Sequence, residues 1–114
     1  LCQKLFEEGR HFSESFNFGP DEKDAKNVEW IAGHLVKTWG EGAAYEIASD
    51  GSSLHEAHFL KLDCTKARTQ LSWQPKWNIN KALDEICAWH KAHINGENMY
   101  NYSLNDIKLY ALEN

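Results

Sequence analysis

His55-Glu56-Ala57-His58 is the densest group of chemistry-bearing side chains in this 114-residue sequence. Two imidazoles and a carboxylate within four positions can bind a metal ion, contact a polar ligand, or form a solvated loop edge. The spacing is one residue short of His-Glu-x-x-His, so the two histidines do not share a helical face. No clear third or fourth ligand stands beside them. The expectation is therefore no metal, with His55, Glu56 and His58 as candidate ligand-contacting residues on a loop.

Other reactive groups read as structural. Cys64 follows Asp63 at the start of a short helical pattern, but no basic partner is fixed next to it, so the thiol is expected to be inert. His90 and His93 are three apart on a helix, where packing histidines outnumber ligands. Five tryptophans (Trp30, Trp39, Trp73, Trp77, Trp89) lie at helical spacing or beside a proline, as core and interface residues do. Lys61, Lys66, Arg68 and Lys76 form a mild basic group, either a solvated face or an attractor for an anionic ligand.

The elements that position these residues are mostly helices. Leu1, Leu5 and Phe6 share one face of an opening helix that Gly9 stops. Asn27 can cap a helix carrying Val28, Ile31, Ala32, Leu35 and Trp39, ended by Gly40. Asp63 can cap a short helix that places Ala67 and Leu71 together and ends before Pro75. Asn78 caps the longest helix, whose inner stripe is expected at Ile79, Ala82, Leu83, Ile86, Trp89, His93 and Ile94, with Gly96 as the stop. Ser103 and Asp106 have capping-box spacing, which opens a last helix running to about Leu112. Alternation predicts three short strands, at Phe16–Phe18, Tyr45–Ile47 and Phe59–Leu62. A loop at 48–54 is a plausible ligand-facing excursion. The expected fold class is α+β, mainly helical with a few short strands.

Composition sets outer bounds. The length suits one domain with a modest core. Net charge is −5, from 12 basic and 17 acidic residues, which argues against a nucleic-acid surface. Three cysteines, Cys2, Cys64 and Cys87, are odd in number and widely spaced, as in reduced cytoplasmic proteins rather than disulfide scaffolds. No apolar run reaches the roughly 18 residues of a membrane span. Leu1 falls inside a helical pattern, so the chain reads as a fragment of a longer protein.

A resemblance sharpens this reading. Asp63, Lys66, Ala67, Leu71, Trp73 and Pro75 spell Asp-x-x-Lys-Ala-x-x-x-Leu-x-Trp-x-Pro. That pattern resembles the C-terminal signature of the extended short-chain dehydrogenase/reductases, the NAD-dependent nucleotide-sugar epimerases and dehydratases. His55–His58, Leu60–Asp63, Asn17–Asp21, Asp24–Lys26, Val28–Ile31 and Asn95–Glu97 are similar, more narrowly, to the CDP-glucose 4,6-dehydratase family. The resemblance covers nearly the whole chain.

It implies that residues 1–114 are the C-terminal substrate-binding portion of such a lyase, lacking the N-terminal Rossmann domain that holds NAD. The implied reaction converts CDP-glucose to CDP-4-keto-6-deoxyglucose and water, in deoxysugar and lipopolysaccharide biosynthesis. The implied setting is the cytoplasm, and the implied full-length form a homo-oligomer. The chain carries neither a Gly-rich dinucleotide fingerprint nor a Tyr-x-x-x-Lys pair. It is thus expected to hold no catalytic or cofactor-binding residue and to be inactive alone. In the superfamily an Arg-x-x-(Asp/Glu) pair precedes the Asp-x-x-Lys-Ala segment, the Arg gripping diphosphate and the acid a sugar hydroxyl. Glu56 matches the acid, but Ser53 stands where the Arg would be. His55 and His58 are the candidates to replace that cation. Two alternatives stay open: another nucleotide-sugar dehydratase or epimerase, or a stand-alone module that binds a nucleotide or a protein without catalysis.

Overall fold

A computed structural model describes residues 1–47 and 62–113. Five α-helices account for most of them: α1 (Cys2–Glu8), α2 (Val28–Trp39), α3 (Thr65–Leu71), α4 (Ile79–Ile94) and α5 (Met99–Leu112). Single 3₁₀ turns occupy Gly9–Phe12 and Glu22–Asp24.

The helix starts follow from side chains that satisfy otherwise free N–H groups. Asn27 Oδ1 accepts from the Trp30 N–H at 2.8 Å, and Asn78 Oδ1 from the Lys81 N–H at 2.9 Å. Asn98 does the same for the Asn101 N–H at 3.1 Å. That last cap corrects the expectation at Ser103. The cap stands five residues earlier, and Ser103 is an interior residue whose hydroxyl accepts from Trp89 Nε1 at 3.0 Å. At the far end of α4, the Gly96 N–H reaches the His93 carbonyl and the Glu97 N–H reaches Ala92. Gly96 takes φ 75°, the left-handed geometry that this double bond requires.

The expected α+β class does not hold. Among the described residues there is no β-strand, and the fold is helical. Phe16–Phe18 has no regular secondary structure. Its aromatic rings pack instead, with Phe18 edge-on to Trp73 at 5.0 Å. Tyr45–Ile47 is likewise irregular, with all three residues exposed. Residues 59–61 of the third expected strand lie outside the described residues, and Leu62 is not in a strand. Alternation measures a half-buried surface, and only a backbone partner turns that into a ladder.

The interior is thin. Cys64, Ala67, Leu83, Cys87 and Ala92 are the buried apolar residues among those described, and none is larger than leucine. On α4 the buried stripe runs Leu83, Cys87, Ala92, rotated from the expected one; Ile86, His93 and Ile94 face outward. On α1, Phe6 is 92% exposed. The radius of gyration is 17.8 Å, against about 13 Å for a compact domain of this length. The helices therefore form an open slab, 22 Å in its thinnest direction.

Candidate functional site

The sequence-expected ligand residues His55, Glu56 and His58, and the Ser53 that stands at the family's Arg position, lie outside the described residues. What the structure gives is the frame on the C-terminal side of that segment. The N-cap of α3 is Cys64 and not the expected Asp63, but Asp63 Oδ1 accepts from the N–H of Thr65, the first helical residue, at 2.9 Å, and the hydrogen bonds from Thr65 lower the Asp63 pKa. The Asp63 carbonyl accepts from Asn17 Nδ2 at 3.2 Å. Cys64 is buried against Gly19; a Cβ on that glycine would stand 3.3 Å from the Cys64 sulfur. A side chain at Gly19 would press on the Cys64 sulfur, and the Asn17–Gly19 motif packs on residues 63 and 64.

Of the mild basic group, Lys61 lies outside the described residues and the other three members are taken up internally. Lys66 pairs with Glu14, donates to the Ser15 carbonyl at 3.1 Å and sits over the Phe16 ring. Arg68 Nη2 meets Asp21 Oδ1 at 2.8 Å. Lys76 Nζ donates to the Ala111 carbonyl at 2.9 Å. Each cation fastens one segment to another, so these three do not form a shared anion site. Arg68, Asp63, Thr65 and Pro20 line a polar cleft of about 220 Å³ beside Leu62.

One constellation escaped the sequence reading. His34 Nε2 lies 2.8 Å from Asp84 Oδ1, and Thr38 Oγ1 donates to the same oxygen at 3.0 Å. The His34 bond, then the Thr38 bond, holds the Asp84 pKa below its ordinary value. His34 is stacked on Trp30 at 5.3 Å, at the edge of a wide cleft with Lys37, Tyr45 and Asn80. Both donors use one carboxylate oxygen, so Thr38 is not activated by His34 and no nucleophilic triad results. The trio joins α2 to α4. Its only sequence signal is the i,i+4 spacing of His34 and Thr38; the partner Asp84 is 50 residues on.

His90 and His93 pack on Trp89, His93 parallel to the ring at 5.7 Å. Among the described residues no three His, Cys, Asp or Glu groups cluster closely enough for a metal ion. None of their helices is long and apolar enough to cross a membrane. A dinucleotide also finds no fit among the described residues: they contain no strand–glycine–helix turn, and Cys64 and Leu62 stand over Gly19.

No protein-family model matches the chain. A curated CDP-glucose 4,6-dehydratase from Salmonella typhimurium (strain LT2) is 46% identical over 110 residues, which is 96% of this chain. Those residues span 30% of the relative's length. Along almost all of its length, then, this chain is similar to just under a third of a CDP-glucose 4,6-dehydratase.

Proposed function

We propose that this chain is the nucleotide-sugar-binding part of a CDP-glucose 4,6-dehydratase, working with a Rossmann domain that holds NAD. The supporting observation is the 46% identity across 96% of the chain. NAD, when bound to the complete enzyme, supplies hydride acceptance and return. The residues here do not fit it, and no step of that chemistry falls to them. Their task is to cover the sugar nucleotide and fix its position, which can account for a large share of a rate enhancement.

Within this reading Glu56 accepts a hydrogen bond from a sugar hydroxyl. His55 and His58, charged next to the diphosphate, replace the cation missing at Ser53. The paired states of Lys66 and Arg68 support this division of labour, because these cations are engaged within the chain. The complete protein is proposed to be cytoplasmic and homo-oligomeric, with a nucleotide sugar as ligand.

The test is to replace the matching 30% of the Salmonella enzyme with this chain and assay CDP-glucose with NAD. The swapped enzyme is expected to turn over, whereas the 114-residue chain alone is not. Glu56→Ala in the swapped enzyme is expected to weaken substrate binding by about 1.5–3 kcal/mol, the loss of one charge-assisted hydrogen bond. Unchanged KM and kcat remove Glu56 from the site.

A further inference from the structure

α5 carries its apolar and polar residues the wrong way round for a surface helix of a finished domain. The side packed towards α4 holds Met99, Tyr102, Ser103, Asp106 and Tyr110, four of them with polar groups. About a third of a turn away, Tyr100, Leu104, Ile107 and Ala111 line up at spacings of four, three and four. That is the a/d rhythm of a helix seam. Yet Tyr100 is 77% exposed, Leu104 38% and Ile107 65%. Asn101, Asn105 and Lys108 make the third side, where Leu109 and Leu112 are also exposed but lie apart from the stripe.

We infer that this stripe is the seat for the remainder of the enzyme, the portion corresponding to the other 70% of the relative's length. The inference rests on the functional reading above. Two observations favour that occupant over a second copy of the chain. The helix is 14 residues, about 21 Å long, so its stripe offers only a few hundred Å². A free-standing dimer needs roughly 800 Å² on each partner. A covalently tethered domain does not meet the same association cost, so a single apolar stripe suffices. The open slab and thin interior point the same way: the chain leaves its apolar surface for a larger body to cover.

Thiol accessibility tests this. Ile107→Cys and, separately, Leu104→Cys are introduced with Cys2→Ser, since Cys64 and Cys87 are already buried. Asn105→Cys serves as the solvated control. Each is labelled with a maleimide in the 114-residue chain and in the swapped Salmonella enzyme, with helicity checked first by circular dichroism. In the short chain all three positions are expected to label quickly. In the swapped enzyme, positions 104 and 107 should slow by about tenfold or more at every protein concentration, while position 105 stays fast. Equal labelling in both proteins overturns the inference. Protection that appears in the short chain, or that fades on dilution of the enzyme, assigns the stripe to a second copy and also overturns it. Labelling needs no substrate, so protection in an enzyme that fails to act on CDP-glucose leaves this inference standing and sinks the functional reading instead.

Discussion

α4 is held on two sides, and the two junctions are unlike. Against α2 the polar groups are matched. Cys87 is buried with its sulfur 4.0 Å from the Leu35 carbonyl, Asp84 receives both His34 and Thr38, and Lys91 Nζ donates to the Trp39 carbonyl at 2.6 Å. Against α5 the junction is mixed. Trp89 finds Ser103 and Trp77 meets Tyr110 edge-on, but the Trp77 indole N–H is buried with no acceptor among the described residues. Asp106 is partly desolvated beside Glu85, and both effects raise its pKa. The difference teaches that polar groups stabilise a seam only where donors and acceptors are matched. α2 and α4 are joined by matched polar groups, while α5 is fastened at points and leaves its apolar stripe outward.

The largest effect expected from this contrast is at Leu83, which is 7% exposed. Leu83→Ala should cost about 2–4 kcal/mol in a denaturant titration, through lost burial and the space left behind. An effect under about 0.5 kcal/mol would place Leu83 among surface sites and undo the account of the buried stripe on α4. Next come the caps. Asn78→Ala and Asn27→Ala should each cost about 1 kcal/mol, because each frees a first-turn N–H.

The two aspartates should then separate by pH. The Asp84 pKa is lowered by its bonds from His34 and Thr38, so its contribution is present above the ordinary aspartate value of 3.8 and lost as acid takes the pH through the folded value. The Asp106 pKa is raised, so its penalty is absent below 3.8 and grows as the pH rises through the folded value. Melting curves at pH 7 should therefore show Asp84→Asn destabilised and Asp106→Asn unchanged or stabilised. The Asp84→Asn deficit should shrink towards pH 3. The reverse order would remove the electrostatic account of the two seams. The smallest effect is expected at Ile107: Ile107→Ala in the 114-residue chain should shift stability by no more than about 0.5 kcal/mol, as at other exposed sites.

Much of the helical frame was legible in the chain. Asn27 and Asn78 were readable as caps because a short polar side chain followed by apolar residues at helical spacing has few other uses. Gly9, Gly40 and Gly96 were readable as stops, and all three have positive φ. Strands were over-read, because Phe16–Phe18 and Tyr45–Ile47 alternate as strand residues do while the pairing partner is a long-range fact. The α5 start was misplaced because Ser103 and Asp106 mimic a capping box, and nothing local shows that the Ser103 hydroxyl is claimed by Trp89. On α4 the buried stripe was rotated because hydrophobicity favours Ile86, whereas Cys87 and Ala92 are small enough to let a neighbouring element approach. The candidates His55, Glu56 and His58 rest on their residue types and on the resemblance, and they lie outside the described residues. The His34–Thr38–Asp84 junction was not legible, because its members are joined by folding and not by spacing.

The most direct measurement compares substrate saturation in the swapped Salmonella enzyme with and without Glu56→Ala. Turnover of CDP-glucose by the swapped enzyme, with apparent affinity reduced about tenfold to a hundredfold by the substitution, is the predicted result. A folded swapped enzyme that ignores CDP-glucose, or one whose kinetics do not change at Glu56, would contradict it.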